Sequence, residues 1–340
     1  MIPANNRTTC LTVALVLALL GGLLAVRGRD AGAASGGVGC ACHPSKAEKQ
    51  FVHRPVKDDE CPSCHKPSDK KHPKYKKEAF TTVTRGKNSL CNDCHERKDT
   101  KKHVHPPVAS GDCVDCHDPH QSDHKYQLRE KSETLCLTCH DKAKLDRKYP
   151  HSPIVAGKCL GCHDPHQSDN KHLVRVEGKG LCFMCHNKAQ FSGKVVHPPV
   201  ASGDCSACHE PHGTQFPHLL KRKYPEEFYA SFSKEEYALC FECHDSGALD
   251  EKLTGMATKF RNGNNNLHYI HVNKLEKGRS CKVCHDPHAS NQSRLISSKV
   301  SGFGRWRIPV RYSTGGDGGT CVVGCHKPKS YNRVNAVQNP

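Results

Sequence analysis

Residues 113–120 read CVDCHDPH. Two cysteines three positions apart are followed at once by a histidine, and a second histidine comes three residues later behind a proline. The C-x-x-C-H half of this octapeptide occurs nine times, starting at Cys61, Cys91, Cys113, Cys136, Cys159, Cys182, Cys205, Cys240 and Cys281. Cysteines of exported proteins usually pair as disulfides, but a disulfide framework has no use for a histidine after every second cysteine. A zinc ribbon needs paired C-x-x-C units without that histidine. The pattern is the attachment signature of c-type haem, with both thiols bonded to the porphyrin and the histidine below the iron.

The composition agrees with an interior filled by something other than side chains. Hydrophobic residues make up 35% of the 340 positions and aromatics 6%, against 23 cysteines and 26 histidines. Residues 1–33 read as an export signal: Arg7 begins it, Cys10–Val26 is apolar, and Ala31-Gly32-Ala33 suits cleavage. An uncleaved anchor is the rival reading, because the apolar run is long for a signal and short for a span.

Internal repetition sets the organisation. His105, Cys113, His120 and Cys136 return 46 residues on as His151, Cys159, His166 and Cys182, and again as His197, Cys205 and His212. HPPVASGDCVDCHDPHQSD, HSPIVAGKCLGCHDPHQSD and HPPVASGDCSACHEPHGTQ are near copies. The expected units are an N-terminal segment (34–50), repeat 1 (51–98), repeat 2 (99–148), repeat 3 (149–194), repeat 4 (195–246), an insertion (247–268), repeat 5 (269–328) and a tail (329–340). Each repeat carries two haem sites. Residues 50 to 328 thus resemble the doubled C-x-x-C-H family of multihaem c-type cytochromes.

The resemblance implies ten or eleven covalently bound haems c. The thioether cysteines would be Cys61, Cys64, Cys91, Cys94, Cys113, Cys116, Cys136, Cys139, Cys159, Cys162, Cys182, Cys185, Cys205, Cys208, Cys240, Cys243, Cys281 and Cys284, plus Cys321 and Cys325 of the expanded CVVGCH. The proximal histidines would be His65, His95, His117, His140, His163, His186, His209, His244, His285 and His326. The short CACH at residues 40–43 adds Cys42 and His43, with Cys40 as a second thioether or a lipid-bearing residue.

Distal ligands are expected in two sets. His120 is too close in sequence to His117 to reach the other face of the same haem. Pro119 ends the helical turn and should throw His120 toward a neighbouring iron. His166, His212 and His288 share that position. Upstream lie His53, His105, His151, His197 and His271, and His105-Pro106-Pro107 should form an extended polyproline arm. The CHKPS motif of repeat 1 lacks the second histidine, a gap that His72 could fill. His103, His124, His172, His218 and His268 complete the candidates. Only Met184 and Met256 remain beyond the signal, so His/Met ligation, which raises potential, is excluded at most sites. Bis-histidine ligation and low potentials follow from the resemblance.

The expected fold is mostly irregular chain with short α-helices, wrapped around an extended haem stack. Ser233 and Glu236 should cap the clearest helix. The stretches 246–266 and 289–320 read as insertions, each able to form a hairpin or meet a partner. The net charge of +17 could suggest nucleic acid, but propionates on ten or eleven haems would turn the mature chain mildly acidic, and stacking aromatics are scarce. No nucleic-acid role is expected. The expected function is electron conduction in anaerobic or metal-linked respiration, not catalysis, in the periplasm of a Gram-negative bacterium or beyond it. Its partners would be redox proteins, an outer-membrane porin or an extracellular acceptor, and the lysine-rich run Lys70–Lys77 could dock an acidic one. The alternative is a multihaem reductase of the nitrite or tetrathionate kind, with one open haem at His43, His65 or His326.

Overall fold

The structure, a computed structural model, describes residues 43–68, 80–82, 89–302 and 305–340. Cys40, Cys42, His72, the whole run from Lys70 to Lys77 and the whole candidate signal lie outside the described residues. What is described is mostly irregular. Its longest helix is Leu267–Val272, and most strands have two residues. Among the described residues, no helix is long and apolar enough to cross a membrane.

Repeats 1–4 are built in the same order. A two-residue strand leads to an arm histidine in extended conformation, for example His105 at φ −62°, ψ 133°. A helix of one turn follows, Pro106–Ser110 in repeat 2 and Pro198–Ser202 in repeat 4. Here the expected polyproline arm is corrected. The prolines open a helix, because their fixed φ suits its first turn and the N–H they lack would have no partner there. The extended segment ends at the histidine. Gly111 and Gly203 then close these helices at φ 87° and 85°, a left-handed cap that favours glycine.

The C-x-x-C-H motif follows as a second single turn. The chain leaves it extended at the motif histidine, for example His117 at ψ 138°. The residues after the turn histidine form another two-residue strand, which pairs with the arm strand of the preceding repeat. Phe51–Val52 thus meets Gln121–Ser122, and His103–Val104 meets Gln167–Ser168. Tyr149–Pro150 meets Gly213–Thr214, and Val195–Val196 meets Ala289–Ser290. Four antiparallel stitches therefore join the five repeats in sequence.

Buried side chains sharpen the picture. Among the described residues, every buried hydrophobic lies at or beyond position 237. Upstream the buried residues are polar and belong to the stitches: Gln121, Ser122, Gln167, Ser168 and Thr214. Gln167 is typical, its Oε1 accepting from the backbone N–H groups of Thr100 (2.6 Å) and Lys101 (2.8 Å). The described parts of the first three repeats are thus tied by hydrogen bonds and hold almost no apolar core of their own, whereas Tyr224, Phe232 and Phe241 of repeat 4 pack around the buried Tyr237.

Both insertions contain hairpins. Arg261–Asn262 pairs with Asn265–Asn266 around Gly263. Lys299–Ser301, Arg307–Gly315, Gly318–Val323 and Lys329–Asn332 form a four-stranded antiparallel sheet. The alternation of Ile308 and Val310 with exposed neighbours buries one face against Val300, Val323, Phe228 and Ile296. The helix expected from Ser233 shrinks to Ala238–Phe241. Ser233 does accept the Glu236 N–H, but the Glu236 carboxylate turns to Lys223 instead of closing the capping box.

Candidate functional site

The motif turns bring chemistry onto one face. In eight of the nine C-x-x-C-H motifs, the histidine N–H donates to the carbonyl of the first cysteine four residues back, as from His117 to Cys113 (3.0 Å) and from His140 to Cys136 (2.9 Å); His65 instead opens the strand His65–Pro67. Residues at i, i+3 and i+4 then share a side of the turn. None of the described cysteines is disulfide-bonded. Nor do three or more His, Cys, Asp or Glu side chains converge on one point among the described residues, as a tetrahedral zinc site would require.

The histidines meet in pairs across the repeats. Arm histidines face the second motif histidine of their own repeat. These pairs are His53–His95, His105–His140, His151–His186 and His197–His244, with ring centroids 5.8, 6.1, 6.2 and 6.1 Å apart. Turn histidines face the first motif histidine of the preceding repeat. His65–His120, His117–His166, His163–His212 and His209–His288 stand 6.0, 6.1, 6.0 and 6.2 Å apart. All eight pairs are near-parallel, with interplanar angles from 2° to 18°. An iron held end-on between two imidazoles gives this spacing: two metal–nitrogen bonds of ~2 Å, plus ~1 Å from each nitrogen to its ring centre, make about 6 Å.

The stitches explain why both pairings occur. The His53 N–H donates to the His120 carbonyl (2.8 Å), and the His105 N–H to that of His166 (2.9 Å). An arm histidine and the next repeat's turn histidine are thereby fixed side by side. Their rings then face the two motif histidines of one repeat.

Hydrogen bonds select the tautomer. Nδ1 of His53, His151 and His197 lies 2.9 Å from the carbonyls of Pro119, Pro211 and Pro287. Nδ1 of His117, His163, His209 and His285 lies 2.8–2.9 Å from the carbonyls of Tyr126, His172, His218 and Arg294. A carbonyl only accepts, so Nδ1 carries the hydrogen and Nε2 keeps its lone pair for a metal. Tyr126, His172, His218 and Arg294 all sit at positive φ, 56–62°, uncommon for residues other than glycine. Each lies nine positions beyond its motif histidine. Sequence reasoning missed this role, because it belongs to the carbonyl and the side chains share nothing. The only signal was the constant offset.

Burial keeps the imidazoles of His120, His166, His212 and His288 below the usual histidine range, and therefore neutral. Thiol pKa values reveal neighbours. Burial and then the adjacent Cys205 push Cys182 up to about 11. Cys91 likewise hydrogen-bonds to Cys113, Cys136 to Cys159 and Cys240 to Cys281. Within repeats, Cys64 feels Cys94, Cys116 feels Cys139, Cys182 feels Cys162, Cys208 feels Cys240, and Cys284 feels Cys321. First and second sites therefore alternate in single file through all five repeats.

Residues 329–340, after repeat 5, contain no turn histidine. The Leu267–Val272 helix carries His268 and His271 instead. His268 is close enough to His285, and His271 to His326, for their charges to interact. Thr258 Oγ1 lies 2.8 Å from His268 Nδ1. His172 and His218 contribute carbonyls, and the His218 ring pairs with Glu226 (3.0 Å). His103 sits in a stitch strand, and His124 precedes the Tyr126 turn. His43 is described and exposed.

The donor set fits haem c: two thiols and an Nε2-free imidazole on each turn, with a second imidazole about 6 Å away. Tyr237 supports the fit, since its hydroxyl is buried without a hydrogen-bond partner beside Cys240 and Cys281, where a propionate or its water could accept from it. A family model described as "Doubled CXXCH motif" matches residues 53–100, 105–145, 151–191 and 197–249, more than half of the chain. No curated protein matches it significantly.

Proposed function

Because this chain belongs to the doubled-CXXCH family of multihaem c-type cytochromes, electron-transfer proteins with several covalently bound haems c, we propose that it is a conductor with ten bis-histidine, low-potential centres in single file. The observation that carries this reading is the one geometry shared by eight histidine pairs, together with the alternating contact of their cysteines. Bound haem supplies one-electron redox chemistry, and the protein supplies attachment, orientation and electrostatics.

In this reading the cysteine pairs anchor and the motif histidines are proximal ligands. The arm histidines serve the second site of each repeat, and the turn histidines serve the first site of the repeat before. His268 and His271 complete the last pair. The carbonyls of Tyr126, His172, His218 and Arg294 hold the proximal rings in register. The chain wraps around the haem stack, which replaces the apolar core that repeats 1–3 lack.

An eleventh centre at His43, anchored by Cys42, is part of the proposal, and mass analysis of the attached haem tests Cys40 as its second thioether. A reductase needs one centre without a second imidazole. His65 faces His120, and His326 lies near His271, which argues against an open centre at either. Residues 1–33 would direct export to the periplasm, where respiratory redox proteins, a porin or an extracellular acceptor would be partners. The test is the spectrum of the dithionite-reduced holoprotein with carbon monoxide. No change supports closed centres throughout, whereas a shift in about one haem's worth of signal or more would overturn the pure-conductor reading.

A further inference from the structure

The two kinds of site differ behind their distal rings. At first sites the turn histidine has a carboxylate near Nδ1: Asp118 at 3.6 Å from His120, Asp164 at 3.9 Å from His166, Glu210 at 3.6 Å from His212, and Asp286 at 4.0 Å from His288. At second sites the arm histidine meets a neutral proline carbonyl at 2.9 Å, as His53, His151 and His197 show. Second-site motif histidines are also followed by polar residues: Asp141, Asn187 and Asp245 accept from the backbone N–H two residues on, as Asp118, Asp164 and Asp286 do, but the residue reached is Ala143, Ala189 or Gly247 and not a histidine. Among the described residues, no carboxylate lies within ion-pairing distance of the His95, His140, His186 or His244 rings.

A negative charge behind an axial imidazole favours the more positive, oxidised state of the metal it binds, and such partners tune redox centres. From this contrast we infer that the chain alternates lower-potential first sites with higher-potential second sites along repeats 1–4. This rests on the bis-histidine reading above. The first site of repeat 5 breaks the alternation, because Thr258 is neutral and His268 has no carboxylate there. Lysines temper the effect at two places: Lys46 acts on His120 and Lys98 on His166. No lysine acts comparably on His212 or His288. The carboxylate should therefore tell most at Glu210, which is as close to its ring as Asp118.

Glu210→Gln is the test. It removes the charge, keeps the size, and strips no capping hydrogen bond from the Glu210 side chain. A spectroelectrochemical titration of the holoprotein should show about four tenths of the haem absorbance titrating in a lower-potential group in the native chain. In Glu210→Gln, about one haem's worth should leave that group and move upward. Asp286→Asn should do the same. Near-infrared magnetic circular dichroism, which reports bis-imidazole ligation, should be unchanged in both. Superimposable titrations, or a downward move, with that signature intact would overturn the alternation alone. A native chain lacking the signature would overturn the ligation reading instead.

Discussion

Replacing His166 by alanine probes a single centre. The His166 ring faces His117 at 6.1 Å and 14°, and it is the only imidazole opposed to His117 among the described residues. The backbone around it is held independently. The His166 carbonyl accepts from His105 (2.9 Å), and its N–H donates to Asp164 (3.0 Å). Neither bond uses the imidazole, so the stitch between repeats 2 and 3 should persist, and with it the placement of His105 opposite His140. The loss is then confined to one of the ten proposed centres. In the reduced holoprotein, carbon monoxide should bind about one tenth of the haem, with a matching fraction turned high-spin. Added imidazole should reverse both changes. His172→Ala is the control. His172 supplies its carbonyl to His163, which alanine retains, so its spectrum should match the native one. Carbon monoxide binding to two or more haems in His166→Ala, or to none, would refute the pairing.

Three further outcomes follow from the geometry. Gln167→Ala leaves the Thr100 and Lys101 N–H groups without their acceptor, which should cost about 2–4 kcal/mol locally; faster hydrogen exchange at those two amides, with haem content unchanged, is the expected result. Asn266 is fully buried, its Nδ2 donates to the Ala248 and Glu251 carbonyls (2.9 Å each), and its Oδ1 accepts from Tyr269. Asn266→Ala should therefore destabilise the His268–His271 helix by about 3 kcal/mol, seen as new carbon monoxide binding in the last repeat. Burial, and then the charges of His285 and His271, hold the unligated His268 imidazole down to about 4, which keeps it neutral and available to an iron. His268→Gln should therefore open the first centre of repeat 5, read as about one haem's worth of new carbon monoxide binding.

Much of the site is visible in the text of the chain. C-x-x-C-H announces attachment residue by residue, and the offsets of His105 and His120 from Cys113 mark them as a matched set. What the text does not carry is which ring meets which. That depends on two-residue strands such as His103–Val104 with Gln167–Ser168, too short for any periodicity to register. The prolines after His105 were ambiguous for a physical reason: a fixed φ near −65° suits both a polyproline arm and a helix start. The Tyr126 carbonyl left no trace in residue type. His268 stood among several unassigned histidines, and only the Leu267–Val272 helix gives it a place beside His271.

The stitches are strictly local: each arm strand pairs with the repeat that follows it and with no other. Unequal recombination between the near-identical texts at His105 and His197 would therefore remove two repeats and four sites yet leave compatible ends, since Gln121–Ser122 and Gly213–Thr214 occupy equivalent positions. Such a molecule would be shorter but unbroken. The reach of this cytochrome is thus a heritable integer, open to lengthening or shortening by gene rearrangement without redesign of any single centre. The two ends do not share that freedom, because repeat 1 lacks a turn histidine and repeat 5 is closed by its own helix.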